Sequence, residues 1–301
     1  MDVILHLGVH RTATTSFQNW MLANSEILSR QGIAFWGPER TRAGLFAGLI
    51  KRADLVSAQD ILSARRSATR IRMEIDLLED QGFHTLIISE ENLIGSIPHC
   101  LQHGILYPDA RGRLERVAMV LGPHLTGVAM GIRRYDAWWA SMLAVERARG
   151  GEMVNPQRLR MLAQSGRGWP CVIEAVEQAF GKRPHVWTHE AMAGRHEVLL
   201  RRLAPRAALY PGQTVPVARF NAAAAVQGQL GRGYMPFSVA QRGQMTARYQ
   251  NELERLRQGH RDLAIMETGG AAPGGYSAIP LTEEGWVDDQ QHRGRQASGM
   301  G

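Results

Sequence analysis

Short apolar runs alternate along the chain with longer segments in which apolar residues recur at helical spacing. The apolar runs that have strand length cover residues 3–7, 32–36, 83–89, 125–132 and 185–188. The segments with helical spacing cover residues 14–29, 55–81, 136–149, 171–180 and 238–263. Continuous apolar strands separated by helices are typical of a parallel sheet that is covered on both faces. The pattern therefore predicts an α/β fold with a long C-terminal helix.

The pattern changes at residue 267. From there to the end, glycines recur without any sustained apolar periodicity, which is typical of a loose segment. We therefore predict one α/β domain over residues 1–266 and a Gly-rich, flexible tail over residues 267–301.

Composition narrows the class of protein. With 44% hydrophobic and 21% charged residues, the chain is typical of a globular protein and not of a disordered one. No apolar run approaches the roughly 18 residues of a membrane span, and the N-terminus lacks the basic segment of a signal peptide. Cys100 and Cys171 provide neither a disulfide framework nor metal-ligand spacing. We expect a cytoplasmic protein without a membrane span or a bound metal.

The net charge of +7 gives little indication of which partners the protein binds. Only two of the 35 basic residues are lysine, a bias that affects the whole chain and not one site. A basic surface is compatible with an anionic ligand or with weak nonspecific nucleic-acid binding, and it does not decide between them. We expect no specific nucleic-acid partner.

The segment after the first apolar run is the first candidate for chemistry. It places one cation, Arg11, and several hydroxyls at the start of a helix, where free N–H groups and the helix dipole favour an anion. This strand, loop and helix predict a P-loop-type sheet. The alternative is a plain helix cap, because Thr and Ser are good N-caps. The candidate ligands in the loop are Arg11, Thr12, Ala13, Thr14, Thr15 and Ser16.

A second candidate follows the predicted strand over residues 125–132. Arg133 comes directly after that strand, and Ser141 lies eight residues later in the next helix. An arginine and a serine placed in this way can bind one phosphate, the arginine through paired N–H donors. The alternative is a solvated arginine beside an ordinary helical serine.

The two segments together resemble the sulfotransferases that use 3'-phosphoadenosine 5'-phosphosulfate (PAPS). Many bacterial members begin with a segment similar to H-x-G-x-H-K-T-G-T-T-S-x-Q, and residues 6–18 match it at most positions. The spacing of Arg133 and Ser141 matches the family's 3'-phosphate segment. A weaker similarity to a late R-x-N segment involves Arg219 and Asn221.

The resemblance implies a PAPS-dependent sulfotransferase that acts on a carbohydrate, lipid or small-molecule acceptor, with no metal. It assigns the 5'-phosphosulfate to the loop, and the 3'-phosphate to Arg133 and Ser141, with Arg219 and Asn221 nearby. Arg11 stands where the family has a lysine, so we expect it to act by its charge and not as a proton donor. Ala13 replaces a loop glycine and Tyr135 replaces a common proline.

A base for the acceptor is expected where the strand over residues 83–89 ends. Parallel strands deliver functional residues to their carboxyl edge, and Glu91 is the first candidate there, with Glu90 second. A carboxylate at this place can accept the acceptor's proton. The alternative is an acidic helix start, and His10 and His84 are further candidates.

Two other functions stay open. The loop could hold ATP in a kinase-like phosphotransferase, although the lysine of a G-x-x-x-x-G-K-[ST] loop is replaced by Thr14. The chain could also be a non-catalytic relative that binds a nucleotide without turnover, since both Arg11 and Ala13 depart from the family pattern.

Overall fold

Six parallel strands form one sheet in the order β2-β3-β1-β4-β5-β6. The computed structural model describes residues 1–207, 214–216, 234–259 and 265–266. The strands are β1 (Asp2–His6), β2 (Ile33–Trp36), β3 (Thr85–Ser89), β4 (Gly127–Ile132), β5 (His185–Thr188) and β6 (Ile265–Met266). The parallel sheet confirms the predicted α/β class.

Helices connect the strands and cover the sheet. Their bounds are α1 (Thr14–Ala23), α2 (Ser25–Arg30), α3 (Pro38–Arg40), α4 (Ala58–Asp80), α5 (Ile97–His103), α6 (Ala110–Leu121), α7 (Tyr135–Ala148), α8 (Pro156–Ala163), α9 (Trp169–Phe180), α10 (His189–Met192), α11 (His196–Leu203) and α12 (Val239–Arg257). Short helical turns also occur at Thr41–Leu45, Ala53–Leu55 and Glu91–Leu93.

Two of the predicted helices differ from the structure. The helix predicted over residues 14–29 is divided at Asn24, whose side-chain amide donates to the Trp20 carbonyl at 2.8 Å and so competes for the last carbonyls of α1. The helix predicted over residues 238–263 ends at Arg257. Gly259 follows with a positive φ of 73°, a conformation that favours glycine and ends a helix.

Apolar side chains pack on both faces of the sheet. On β1, Val3 and Leu5 belong to the larger core, whereas Ile4 between them packs against the smaller one. On β5, Val186 belongs to the larger core and Trp187 to the smaller one. Burial on both faces explains why these strands consist of nearly unbroken apolar residues.

The chain divides by its contacts into two units, Met1–Thr268 and Gly269–Gly301. The second unit lies outside the described residues, so the flexible tail stays a prediction. Within the part of the chain that the structure describes, no helix is both long and apolar enough to cross a membrane.

Strand order fixes where a site can form. The chain leaves β1, adds β2 and β3 on one side, and then crosses to β4 on the other side. The loops that follow β1 and β4 therefore leave the sheet beside each other, and a crevice at the carboxyl ends of the strands is expected at this point. His6 pairs in register with Ser89, the last residue of β3, and with Ala129 of β4. The ends of β1 and β3 therefore meet there, and β4 continues beside them to Ile132.

Candidate anion site and neighbouring carboxylates

The loop between β1 and α1 is tightly folded. Its turns place Gly8, Arg11 and Ala13 at positive φ values of 49°, 65° and 67°. A Cβ at Gly8 would lie 2.5 Å from a Thr14 methyl carbon, so glycine is required there. Left-handed backbone costs a non-glycine residue about 1 kcal/mol. The Thr12 hydroxyl contributes to holding the turn through a hydrogen bond to the Val9 carbonyl at 2.6 Å.

The start of α1 has no side-chain cap. Ala13 is the N-cap residue, and the first turn contains no acidic residue. The hydroxyl of Thr14 donates to the Val9 carbonyl at 3.2 Å, Ser16 contacts His196 at 3.0 Å, and Thr15 is exposed. The simple helix-cap interpretation is therefore wrong. A helix start with free N–H groups and no acid favours an anion.

Arg11 joins the two predicted segments. Its Nε donates to the Ser141 Oγ at 2.7 Å, and the Arg133 Nη1 donates to the Arg11 carbonyl at 2.8 Å. The structure thus brings Arg11, Arg133 and Ser141 together across 130 residues of chain. The Nε of Arg133 is buried and has no hydrogen-bond partner. Burial lowers the pKa of both guanidinium groups, which means that an added negative charge would be favourable here.

Two tryptophans fix the backbone around these arginines. The Trp138 Nε1 donates to the His10 carbonyl, and the Trp169 Nε1 donates to the Arg133 carbonyl, at 2.8 and 2.7 Å. Trp138 and Trp139 are both buried and pack in the core. Their neighbour Tyr135 bonds to Glu252 and to the Trp169 N–H, so it also has a structural role.

Glu90 is a buried structural carboxylate. Its two oxygens accept hydrogen bonds from Arg42 at 2.8 and 2.9 Å, from the Thr41 hydroxyl at 2.7 Å and from the Asn92 N–H at 2.9 Å. The side chain is 0% exposed. With its acceptor positions filled and no access to solvent, Glu90 is poorly suited to take a proton from a substrate.

Glu91 has a different environment. Its oxygens accept from the Gln18 amide at 3.0 Å and from Arg42 at 2.9 Å, and its side chain is 17% exposed. Burial pushes the pKa of Glu91 up. The Gln18 hydrogen bond, the hydrogen bond from its own backbone and, to a smaller extent, the charges of His10 and Arg42 outweigh burial and hold the pKa below the ordinary glutamate value. A carboxylate with two bonds keeps acceptor capacity for a substrate proton. The geometry favours Glu91 over Glu90 as the base.

The two other candidate bases are bound to structural partners. His10 contacts the Tyr107 hydroxyl at 3.0 Å through its Nδ1, and burial lowers its pKa. His84 lies just before β3, at the amino edge of the sheet, where it contacts Thr85. His84 is therefore at the wrong edge for the site. Arg219 and Asn221 lie outside the described residues, so their assignment stays a prediction.

Sequence reasoning left several functional contacts unassigned. Gln18 belongs to the matched segment, but its role in holding Glu91 depends on the way α1 lies beside the end of β3. Arg42 lies in the helical turn Thr41–Leu45 and Tyr107 in a loop, and neither segment has a sequence pattern that indicates a site. His189 comes directly after β5, so the rule that sites lie at carboxyl ends of strands could have drawn attention to it.

We predict that the buried His6 makes the free energy of unfolding decrease in acid. Burial lowers its pKa from 6.5 to about 4, and its Nδ1 contacts the Ser89 hydroxyl at 2.9 Å. Because the unfolded chain binds the proton more readily, full stability is present above pH 6.5 and decreases as the pH falls towards 4. The expected loss is about 3 kcal/mol from this residue. Urea unfolding at several pH values measures it, and His6→Gln should flatten the slope; an unchanged slope in that variant would contradict the assignment.

Comparisons of the chain with protein-family models, with curated proteins and with solved structures find no significant match.

Proposed function

We propose that this protein is a sulfotransferase that uses PAPS and transfers its sulfuryl group to a hydroxyl or amine of a small-molecule, lipid or carbohydrate acceptor. One observation carries the proposal: Arg11, Arg133 and Ser141 meet at the uncapped start of α1, the place where the resemblance puts the phosphates of the donor. The proposal rests on this meeting together with the sequence resemblance.

The residues present suit a nucleotide with two separate anionic groups. Arg11 and the N–H groups at the start of α1 would hold the 5'-phosphosulfate, and Arg133 with Ser141 would hold the 3'-phosphate. The buried, unpartnered Nε of Arg133 supplies a donor that no other protein group uses. When bound, PAPS supplies an activated sulfuryl group, and sulfuryl transfer depends on positioning and charge stabilisation much as phosphoryl transfer does.

Glu91 is the group proposed to accept the acceptor's proton. It follows β3, which neighbours β1 in the sheet, so it lies at the same carboxyl edge as the loop. Gln18 holds one of its oxygens. The acceptor would enter beside Glu91, and the loops over residues 37–60, 92–110 and 151–170 would determine which acceptor is chosen.

Nucleotide binding tests the donor site. We expect 3'-phosphoadenosine 5'-phosphate to bind much more tightly than ADP or AMP in titration calorimetry. Arg133→Ala should weaken the binding of 3'-phosphoadenosine 5'-phosphate by 10-fold or more, which corresponds to roughly the 1.5–3 kcal/mol of a charged hydrogen bond. The binding of AMP should weaken much less. Arg134→Ala is the matched control, since the neighbouring Arg134 pairs with Asp136 instead.

Other outcomes point to other functions. Equal losses for both nucleotides in Arg133→Ala would overturn the assignment of the 3'-phosphate. ATP hydrolysis that Arg11→Ala abolishes would favour the kinase-like function. Tight binding of 3'-phosphoadenosine 5'-phosphate without turnover of PAPS would favour a non-catalytic nucleotide-binding protein.

A further inference from the structure

A histidine outside the matched segments lies beside the two arginines. His189 begins α10, directly after β5, the strand next to β4. Register places Thr188 opposite Ile132, so His189 follows its strand where Arg133 follows its own. The backbone of Thr12, in the loop after β1, also acts on the ring and raises its pKa. Three neighbouring strand ends thus converge on one place.

The protonation state of His189 determines which hydrogen bonds its ring can donate. Its Nδ1 is buried and has no hydrogen-bond partner. A neutral imidazole carries a proton on one ring nitrogen only, whereas the protonated ring offers an N–H donor at both. Arg133 has a buried Nε in the same condition, without a partner.

The charges that face His189 explain why it is neutral without an anion. Burial, followed by the charge of Arg133 and to a smaller extent that of Arg11, lowers its pKa to about 4, against an upward contribution from Glu190. Glu190 itself accepts the Arg134 N–H at 3.1 Å and the Tyr249 hydroxyl at 3.2 Å. A bound anion would offset the two arginine charges and favour the imidazolium form.

We propose that His189 is a further ligand of the tetrahedral anion bound at Arg133, and that it binds this anion in its protonated form. Binding is then coupled to the uptake of one proton, which comes from the solvent and resides on the imidazole ring. The inference rests on the proposed anion site, but it does not depend on whether the anion is a phosphate or a sulfate group.

Sodium sulfate is the probe, because sulfate does not titrate between pH 5 and 8, the range in which histidines change charge. Titration calorimetry in two buffers with different ionisation enthalpies measures the proton uptake. For the unmodified protein we expect uptake of a proton, and an affinity that falls by up to about tenfold per pH unit. His189→Gln should show no uptake and a flat pH profile. His185→Gln, at the other end of β5, is the matched control.

The outcomes separate the two proposals. Sulfate binding without proton uptake by the unmodified protein overturns the role of His189 and leaves the donor site standing. Uptake that persists in His189→Gln also overturns it. Proton-coupled sulfate binding without any preference for a 3'-phosphorylated nucleotide supports His189 and counts against the sulfotransferase. If none of these anions binds, both proposals are overturned.

Discussion

Arg42→Ala is expected to lower the free energy of unfolding by about 3 kcal/mol, because it leaves a buried carboxylate without its counter-charge. Glu90 would keep only the Thr41 hydroxyl and the Asn92 N–H of its present donors. Glu90 is 0% exposed, whereas Arg42 is 44% exposed. The unsatisfied charge is therefore the one that water cannot reach. Urea unfolding followed by circular dichroism measures the loss.

A double variant tests the cause of this loss. Adding Glu90→Gln to Arg42→Ala removes the buried charge, so part of the lost stability should return. Arg30→Ala is the control for a surface ion pair, since Arg30 and Glu26 are both largely exposed, and it should cost less than about 1 kcal/mol. A double variant that is less stable than Arg42→Ala alone would show that the buried charge is not the cause.

Glu91→Gln is expected to lower the rate at which PAPS is converted to 3'-phosphoadenosine 5'-phosphate by about 100- to 10,000-fold, the usual contribution of a general base. Nucleotide affinity should not change, because the carboxylate of Glu91 bonds to Gln18 and Arg42 and not to Arg11, Arg133 or Ser141. The rate is measured with a panel of hydroxyl and amine acceptors. A rate equal to that of the unmodified protein would remove Glu91 as the base.

The pH profile separates a base from a structural residue. The pKa of Glu91 lies below its ordinary value. The rate should therefore decrease on the acid side only at pH values below about 4.3, where a free glutamate titrates. Gln18→Ala removes a hydrogen bond that favours the charged carboxylate, so this limb should move to higher pH. Loss of rate without movement of the limb would give Gln18 a structural role only.

The sequence alone determined the α/β class and the places of β1 to β5 along the chain. Buried parallel strands must be apolar on both faces, so the residues of β1, β3 and β4 are distinctive without any knowledge of their partners. It also marked Arg133 as a candidate ligand, because ligands in α/β folds bind at the carboxyl ends of strands, and Ser141 through the spacing of the resemblance. Two predicted helices end elsewhere, at Asn24 and Arg257, where local capping overrides periodicity. The sequence patterns did not predict α3, α5, α6, α8, α10, α11 or β6.

The tertiary structure decided how those candidates differ. Glu90 and Glu91 are adjacent and identical in type. Thr41 and Arg42, which follow β2, donate hydrogen bonds to the carboxylate of Glu90, which is buried from solvent. Glu91 instead faces Gln18. Such contacts between segments far apart in the chain carry no local pattern. Burial and hydrogen bonding determine the charge and reactivity of a carboxylate or a histidine, and both arise only when the strands are brought together.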